Sequence, residues 1–333
     1  MWINLKRDII QLPGGNTLPD PLVSICMPAY NAGKYIGDAV TSILKQSYSN
    51  WELIIVNDGS TDDTVQQLEK ITDSRIKVFH QENKGQCSAA NQAFHLSKGN
   101  LIKFMDADDL ISSNYIENQV KCLRDETNAI ATASWGRFYN DDLNTFKLND
   151  DIIKQDCKPI DWLIQLMDKA QAMMQCALWL IPREVLDRSG LWDESLSLIN
   201  DFEFFIRVLL CTHEVKFTDD AILYYRSGLD NSLSRLKSRE GVESAFNSIN
   251  KGTSYMLGYE NSHRVKKAAA NSLQSFVYTF YPYQKDLTSI AEKKIRDLGG
   301  STIPFPAGGY TKILRDILGW KLTKGIKALT GYQ

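Results

Sequence analysis

Four short runs of apolar residues, separated by amphipathic segments, mark the first third of the chain. The runs read LVSIC, WELIIV, RIKVF and LIKF and predict four β-strands. Residues 33–46 carry apolar side chains at the spacing of one helix face, and a helix of small residues is expected to end at Gly99. The second run lacks alternation, which indicates a parallel strand covered on both faces. The pattern therefore predicts an α/β fold whose ligand site lies at the carboxyl ends of the strands.

The regular alternation of apolar runs and amphipathic segments ends after residue 128. Residues 129–139 and 176–182 are apolar runs that predict strands, and residues 160–167 and 201–212 have the spacing of helices. Residues 215–226 predict one or two edge strands. From about Glu240 the pattern is helical, so the extension at the carboxyl end is expected to consist of helices.

These changes divide the chain into three parts. Residues 1–21 form a polar lead-in that contains Pro and Gly, residues 22–235 the main domain, and residues 236–333 a helical region. Within the main domain, the change of pattern separates residues 22–128 from residues 129–235.

The overall composition excludes some classes of protein. The formal net charge is −2, so no global basic character points to nucleic acid. No run of about 18 apolar residues predicts a spanning helix, and the amino-terminal residues lack the pattern of a signal peptide. The six cysteines include no CxxC pair and indicate buried thiols in a reducing compartment. We therefore expect a cytoplasmic protein.

Carboxylates follow several of the predicted strands. Asp58, Asp106, Asp108 and Asp201 come at or near strand ends or a helix start, where they are expected to converge. Asp106 and Asp108 share a face of an extended chain, and two such charges repel unless a cation or a proton relieves them. Hard oxygen ligands suit Mg²⁺ or Mn²⁺ on a diphosphate. A DxD motif alone is more typical of a turn or a helix cap than of a metal site, and the cap role is open to Asp109.

Five segments together show a resemblance to a known family, over a stretch from Val23 to about Ser234. The segments, in order, are Pro28–Asn31, Val56–Thr64, Asn83–Gly85, Ala90–Asn91 and Asp106–Asp109. Their order and register resemble family 2 of the glycosyltransferases, which adopts the Rossmann-like GT-A fold and inverts the anomeric centre. The resemblance implies a sugar nucleotide donor and a divalent metal, Mn²⁺ or Mg²⁺. It also implies that residues 22–128 bind the nucleotide and residues 129–235 bind the acceptor.

The resemblance also implies roles for residues around the nucleotide. Tyr30 would stack on the base while the backbone of Pro28 and Ala29 hydrogen-bonds it, and stacking of this kind contributes about 1–3 kcal/mol. Asp58 would accept the imide N–H of uracil, which favours UDP donors. Lys84 or the backbone of Gly85 would line the same pocket. The alternatives are a core tyrosine, a turn aspartate and a solvated lysine.

Further implied roles concern the diphosphate and the acceptor. The segment Asp106–Asp108, with Ala107 between the two carboxylates, would hold the donor: Asp106 the ribose and Asp108 the metal, with Asp106 as a second candidate ligand. Asp201 would be the general base, or only a helix cap. Arg226 would pair with phosphate or form a structural ion pair, and the loop after it resembles a flexible lid. Asn200 departs from the family, which usually has a glutamate there.

The resulting hypothesis is an inverting transferase that moves a sugar from a UDP-sugar to a glycan or lipid-linked acceptor in polysaccharide, lipopolysaccharide or glycolipid assembly. One alternative is a sugar nucleotidyltransferase, although the loop PAYNAGKYIGD contains a single lysine where that class needs a basic phosphate loop. Another alternative is a nucleotide- or glycan-binding module without catalytic activity. Replacement of Asp108 or Asp201 would favour that alternative, but both residues are present.

The segment 312–327 combines basic residues with an apolar stripe. It reads KILRDILGWKLTKGIK and predicts an amphipathic helix. Such a helix could lie on an anionic membrane surface with Trp320 at the interface, or dock on the protein with its basic face in water. A peripheral membrane contact and a docked helix both remain open.

Overall fold

The computed structural model describes residues 20–124, 126–168, 173–229 and 238–330. Nearly all of the predicted lead-in and most of the predicted lid, residues 230–237, therefore lie outside the described residues. The described strands are β1 (Val23–Ala29), β2 (Trp51–Asp58), β3 (Ile76–Gln81), β4 (Leu101–Phe104), β5 (Leu110–Ile111), β6 (Ala129–Tyr139), β7 (Asp142–Leu148), β8 (Ile181–Pro182) and β9 (Glu214–Ser227).

Helices separate and follow these strands. They are α1 (Ile36–Leu44), α2 (Thr64–Leu68), α3 (Gln86–Leu96), α4 (Tyr115–Cys122), α5 (Pro159–Met167), α6 (Arg183–Ser189), α7 (Asn200–Leu210), α8 (Arg239–Tyr259), α9 (His263–Phe280), α10 (Lys285–Asp297) and α11 (Tyr310–Thr330). The small-residue helix α3 ends at Leu96, so the predicted end at Gly99 is three residues too long.

The first sheet confirms the predicted α/β fold. Its strands pair in the order β3, β2, β1, β4, β8, and only the short β8 is antiparallel to its neighbour. All eight residues of β2 are buried, as its unbroken apolar run predicted. The parallel strands end at one edge of the sheet. Asp58 is the last residue of β2 there, while Tyr30 follows β1 and the segment Met105–Asp109 follows β4.

A second sheet pairs β5, β9, β6 and β7 in that order. β9 lies between β5 and β6, so the prediction of an edge strand was wrong. The antiparallel pairing of Leu110 with Tyr224 brings the carboxyl end of β9 next to the turn that follows β4. The second sheet therefore reaches the same rim as the first.

The prediction of a strand over residues 176–182 was also wrong. Residues Cys176–Leu178 form one turn of 3₁₀ helix, and only Ile181–Pro182 belong to a strand. The side chain of Gln175 accepts a hydrogen bond from Ala177 N at 2.8 Å and caps this turn. The run is apolar because its residues fill the core, and Trp179 is fully buried.

The last four helices confirm the predicted helical region. α8 packs against α7, while α9 packs between α8 and α10 and also contacts α5. α11 is broken at Gly319, whose φ of 75° lies in the left-handed region. Among the described residues, no helix combines the length and the hydrophobicity that crossing a bilayer requires.

Candidate active site

The end of β1 forms one wall of the site. Pro28 and Ala29 are its last residues, and Tyr30 follows with 52% of its surface exposed. A core tyrosine is therefore not what the structure shows. Asn31 N donates to Ser60 Oγ (3.0 Å), which ties this loop to the one after β2. Tyr30 thus stands at the rim with an exposed ring, and its stacking on a base stays a prediction.

The carboxylate of Asp58 organises the loop after β3. Its Oδ1 accepts from Gln81 Nε2 (2.7 Å) and Lys84 N (2.9 Å), and its Oδ2 accepts from Gly85 N (2.9 Å). Gly85 has a φ of 92°, which only glycine adopts without strain. One lone pair of Oδ2 remains for a further donor. This free lone pair could accept the predicted hydrogen bond from uracil, which stays a prediction. The predicted contact of Lys84 with the nucleotide also stays a prediction.

Three carboxylates meet after β4. One oxygen each of Asp106, Asp108 and Asp109 lies within 4.8 Å of the others, a spacing at which one cation can contact all three. Ala107 between them is buried. Asp109 does not have the predicted role of a helix cap, because it is fully buried and precedes the strand β5. The cluster therefore has one member more than the DxD motif.

The three carboxylates differ in what they already bind. Each oxygen of Asp109 already accepts a hydrogen bond, Oδ1 from Arg226 N (2.9 Å) and Oδ2 from Gln175 Nε2. Asp106 accepts from Gln86 Nε2 at 2.8 Å and from Gln175 Nε2 at 3.4 Å. In the part of the chain that the structure describes, no side chain donates to the Asp108 carboxylate. Asp108 is therefore the member best placed to bind a ligand.

The environment of the cluster disfavours negative charge. Burial raises the pKa of Asp108 to about 7, and the charge of Asp106 adds to the effect. Burial likewise raises the pKa of Asp106, and that of Asp109 well above its usual range. Carboxylates gathered in this way keep their charge when a cation neutralises it. The donor set of hard oxygens fits Mg²⁺ or Mn²⁺.

The predicted base lies in the first turn of α7. Asp201 is partly buried, and burial raises the pKa of its carboxyl well above the usual range, with the charge of Asp106 as the second cause. The residue at the cap position of α7 is Ile199, and among the described residues no backbone N–H at the start of the helix donates to the Asp201 carboxylate. The alternative of a helix cap is therefore not what the structure shows, while the role as base stays a prediction.

A chain of amide groups joins the predicted base to the acidic cluster. Asn200 Oδ1 accepts from Asp201 N (2.9 Å), and Asn200 Nδ2 donates to Gln86 Oε1 (3.3 Å). Gln86 in turn donates to Asp106. The asparagine that departs from the family therefore has a defined position. It links α7 to α3 without adding another charge beside four carboxyl groups.

Arg226 is buried at the end of β9. Its Nε donates to the carbonyl oxygen of Asp108 (2.7 Å), and its guanidinium forms ion pairs with Asp38 (3.6 Å) and Asp141. The cation also lies over the ring of Tyr35, 4.7 Å from its centre. Arg226 thus ties the second sheet to the acidic cluster, and a contact with donor phosphate stays a prediction.

Sequence reasoning missed Gln86, Gln175 and Lys103. Lys103 is fully buried and donates to the carbonyl oxygen of Ala177 at 2.5 Å, which fixes the turn after Gln175. Burial lowers the pKa of Lys103 to about 7. A lysine inside the run LIKF was the one available signal, since a charged residue within a buried strand needs partners. Gln86 and Gln175 gave no signal of this kind.

Comparison with known proteins agrees with this geometry. The family model for glycosyl transferase family 2 matches residues 24–190. Glycosyltransferase GlyG of Streptococcus pneumoniae is 30% identical over 62% of this chain and 70% of its own length. The Escherichia coli enzyme WfgD, named as a UDP-Glc:α-D-GlcNAc-diphosphoundecaprenol β-1,3-glucosyltransferase, is 41% identical, over 32% of this chain and 42% of its own length.

A solved structure shares the fold. Residues 1–349 of TarS from S. aureus, crystallised with UDP-GlcNAc, superpose with a TM-score of 0.60 at 16% identity. The superposition covers 83% of this chain and 88% of that one. The chain therefore belongs to glycosyl transferase family 2 and is a transferase enzyme with the GT-A fold.

Proposed function

We propose that this enzyme transfers a sugar from a UDP-sugar to a hydroxyl group of a glycan or lipid-linked acceptor, with inversion of the anomeric centre. The observation that carries the proposal is the position of Asp201 beside a cluster of three carboxylates at one sheet rim. TarS was crystallised with UDP-GlcNAc, and the name of WfgD gives a UDP-glucose donor and a diphosphoundecaprenol-linked acceptor. These names support a UDP donor and assembly of a surface polysaccharide, lipopolysaccharide or glycolipid.

Two consecutive parts of the chain have different proposed roles. Residues 22–128 bind the donor, residues 129–235 bind the acceptor, and Tyr30 and Asp58 contact the uracil base. Asp106 holds the ribose, and Asp108 with Asp106 holds a divalent cation, Mn²⁺ or Mg²⁺. When bound, such a cation would stabilise the negative charge of the departing diphosphate.

Asp201 is the proposed proton acceptor of the reaction. The acceptor oxygen forms a bond to the anomeric carbon while the bond from that carbon to the phosphate oxygen breaks and UDP leaves. The proton of the acceptor hydroxyl passes to the Asp201 carboxylate. A raised pKa makes this carboxylate a stronger base than an exposed aspartate, which suits general base catalysis. The amide chain through Asn200 and Gln86 keeps the base in register with the donor.

The test is the release of UDP from a panel of UDP-sugars, with Mn²⁺ and with a chelator, in the presence of glycan acceptors. We expect release that the chelator abolishes. Asp73→Asn is a matched control, because Asp73 pairs with Arg75 before β3, at the opposite end of that strand from the loop that Asp58 organises. The proposal fails if every UDP-sugar stays intact, or if Asp201→Asn turns over as fast as Asp73→Asn.

We also propose that residues 312–327 contact an anionic membrane surface. Five apolar side chains of α11 are exposed by at least 40%: Ile313, Ile317, Leu318, Leu322 and Ile326. Lys312 and Lys321 add positive charge beside them, although Lys321 also pairs with Glu292 at 2.7 Å. Trp320 does not lie among these exposed residues. It packs on Tyr278, Tyr281 and Phe305, with ring centres 4.9–5.9 Å apart.

Sedimentation with vesicles tests the membrane contact. The double variant Ile317→Ser/Leu322→Ser should lose binding to vesicles rich in phosphatidylglycerol. Leu143→Ser removes a comparably exposed apolar side chain from β7 and should bind like the wild type. Equal binding by all three proteins would contradict the proposal and favour a docked helix.

A further inference from the structure

The turn that precedes α7 is held in an unfavourable conformation. Ile199, directly before the helix, has φ 60° and ψ 26°, in the left-handed region. A β-branched residue rarely adopts this region, and it persists where surrounding structure enforces it. Asp201 follows two residues later. Whatever enforces this turn therefore also fixes the position of the proposed base.

Ser244 of α8 binds the segment that enters the turn. Its Oγ accepts from Ser197 N (2.8 Å) and Leu198 N (3.1 Å), and it donates to the carbonyl oxygen of Leu198 (3.2 Å). Ser244 is buried. One hydroxyl group thus satisfies three backbone groups of a segment that belongs to no helix or strand.

Ser248, one helical turn further along α8, binds the other side of the same turn. Its Oγ donates to the carbonyl oxygen of Ile199 (2.6 Å) and accepts from Glu203 N (3.1 Å). Ser248 is fully buried. Because the N–H groups in the first turn of a helix lack partners within it, Ser248 supplies from α8 what a cap residue would supply locally.

A third small residue continues this face of α8. A Cβ atom on Gly252 would lie 2.8 Å from Ile206 Cδ1 and 2.9 Å from the ring of Phe202, both on α7. Residues four apart share a helix face, so Ser244, Ser248 and Gly252 form one surface on which α7 rests. The close approach at Gly252 brings the two hydroxyl groups within reach of the turn.

We propose that two residues of α8, Ser244 and Ser248, are positioning residues for Asp201. The proposal rests on the proposed function, in which Asp201 is the base. The proposal extends the site past residue 235, the predicted end of the main domain, and past residue 190, where the family match ends. The helical region at the carboxyl end then serves catalysis and is not only an extension.

Removal of one hydroxyl should affect turnover more than donor binding. In Ser248→Ala, the turn at Ile199 loses its bond and Asp201 shifts, while the acidic cluster is untouched. Displacement of a catalytic group by about 1 Å costs on the order of 10²-fold in rate. We therefore expect kcat to fall by about 10- to 100-fold and the affinity for UDP, measured by calorimetry, to stay at the wild-type value.

Controls on the same helix separate positioning from stability. Thr253→Val removes a buried hydroxyl whose hydrogen bonds among the described residues all go to carbonyl oxygens of α8 itself, Ile249 at 2.7 Å and Asn250 at 3.2 Å. It should keep the wild-type kcat. Ser244→Ala is a second variant in case Ser248→Ala does not fold. Hydrogen exchange of the amides of residues 197–203 gives a readout that needs no activity and should accelerate in both serine variants only.

The outcomes are distinct. Wild-type kcat and wild-type exchange in both serine variants would overturn the proposal. So would a parallel loss of UDP affinity and kcat, which a general loss of folding produces. A wild-type protein that turns over no donor would refute the proposed function and the base with it, while the exchange of residues 197–203 would still decide whether α8 holds the turn.

Discussion

Replacement of Asp108 by asparagine should stabilise the metal-free protein at neutral pH. The amide side chain would have nearly the shape of the protonated carboxyl group and no charge. Burial raises the pKa of Asp108 to about 7, whereas an unfolded chain has the ordinary value of 3.8. Between these two values the folded protein binds a proton that the unfolded chain has released. The wild type therefore loses stability relative to Asp108→Asn as the pH rises from about 4 to about 7, and the difference is constant above that.

The size of the effect follows from the two pKa values. A change from 3.8 to about 7 corresponds to at most about 4 kcal/mol of unfolding free energy at pH 8. For a protein of 333 residues, the entropy of unfolding near 60 °C is about 0.7 kcal/mol/K, so the variant should melt up to about 6 °C above the wild type. Below pH 4 the two proteins should melt together.

Thermal unfolding followed by circular dichroism, at several values between pH 4 and pH 8 with a chelator present, measures this difference. Addition of Mn²⁺ at pH 8 should raise the melting temperature of the wild type and leave Asp108→Asn nearly unchanged, because the cation needs the charged carboxylate. A difference between the two proteins that does not change with pH would refute the reasoning. Equal stabilisation of both by Mn²⁺ would remove Asp108 as a ligand.

Two further predictions concern the proposed base, Asp201, and the loop that contains Gly85. Asp201→Asn should lower kcat by about 10²- to 10⁴-fold and leave UDP affinity by calorimetry intact; near-normal turnover would exclude it as the base. Gly85→Ala should weaken UDP binding and cost about 1–3 kcal/mol in thermal unfolding, because its φ of 92° and ψ of 160° suit glycine alone. The control Gly37→Ala has open space in α1 and should melt at the same temperature or higher; similar losses in both would contradict this account.

The sequence predicted the first sheet well because local pattern determines it. Each parallel strand contains a short and mainly apolar run, and the polar residues that follow β1, β2 and β4 mark the rim. The strand predicted over residues 176–182 was wrong because apolar character indicates burial and not conformation. The buried element there is a 3₁₀ turn that the side chain of Gln175 caps. The position of β9 between β5 and β6 depends on pairing across more than a hundred residues, which no local pattern records.

The candidate site, like the fold, was predicted only in part. The carboxylates at strand ends could be named from the sequence because the motif and the topology both place them at the rim. The groups that hold them could not be named. Gln86 meets Asn200 across 114 positions, and Ser248 meets Ile199 across 49. Serine and glutamine are common residues, so their type gives no indication of such contacts.

Calorimetric titration of UDP tests the central claim most directly, namely that Asp108 and its neighbours hold a divalent cation on the diphosphate of the donor. The titration is run on the wild type with Mn²⁺, on the wild type with a chelator, and on Asp108→Ala with Mn²⁺. Binding that appears only in the first of the three is the predicted result. Equal affinity in the wild type and Asp108→Ala, both with Mn²⁺, would contradict the claim.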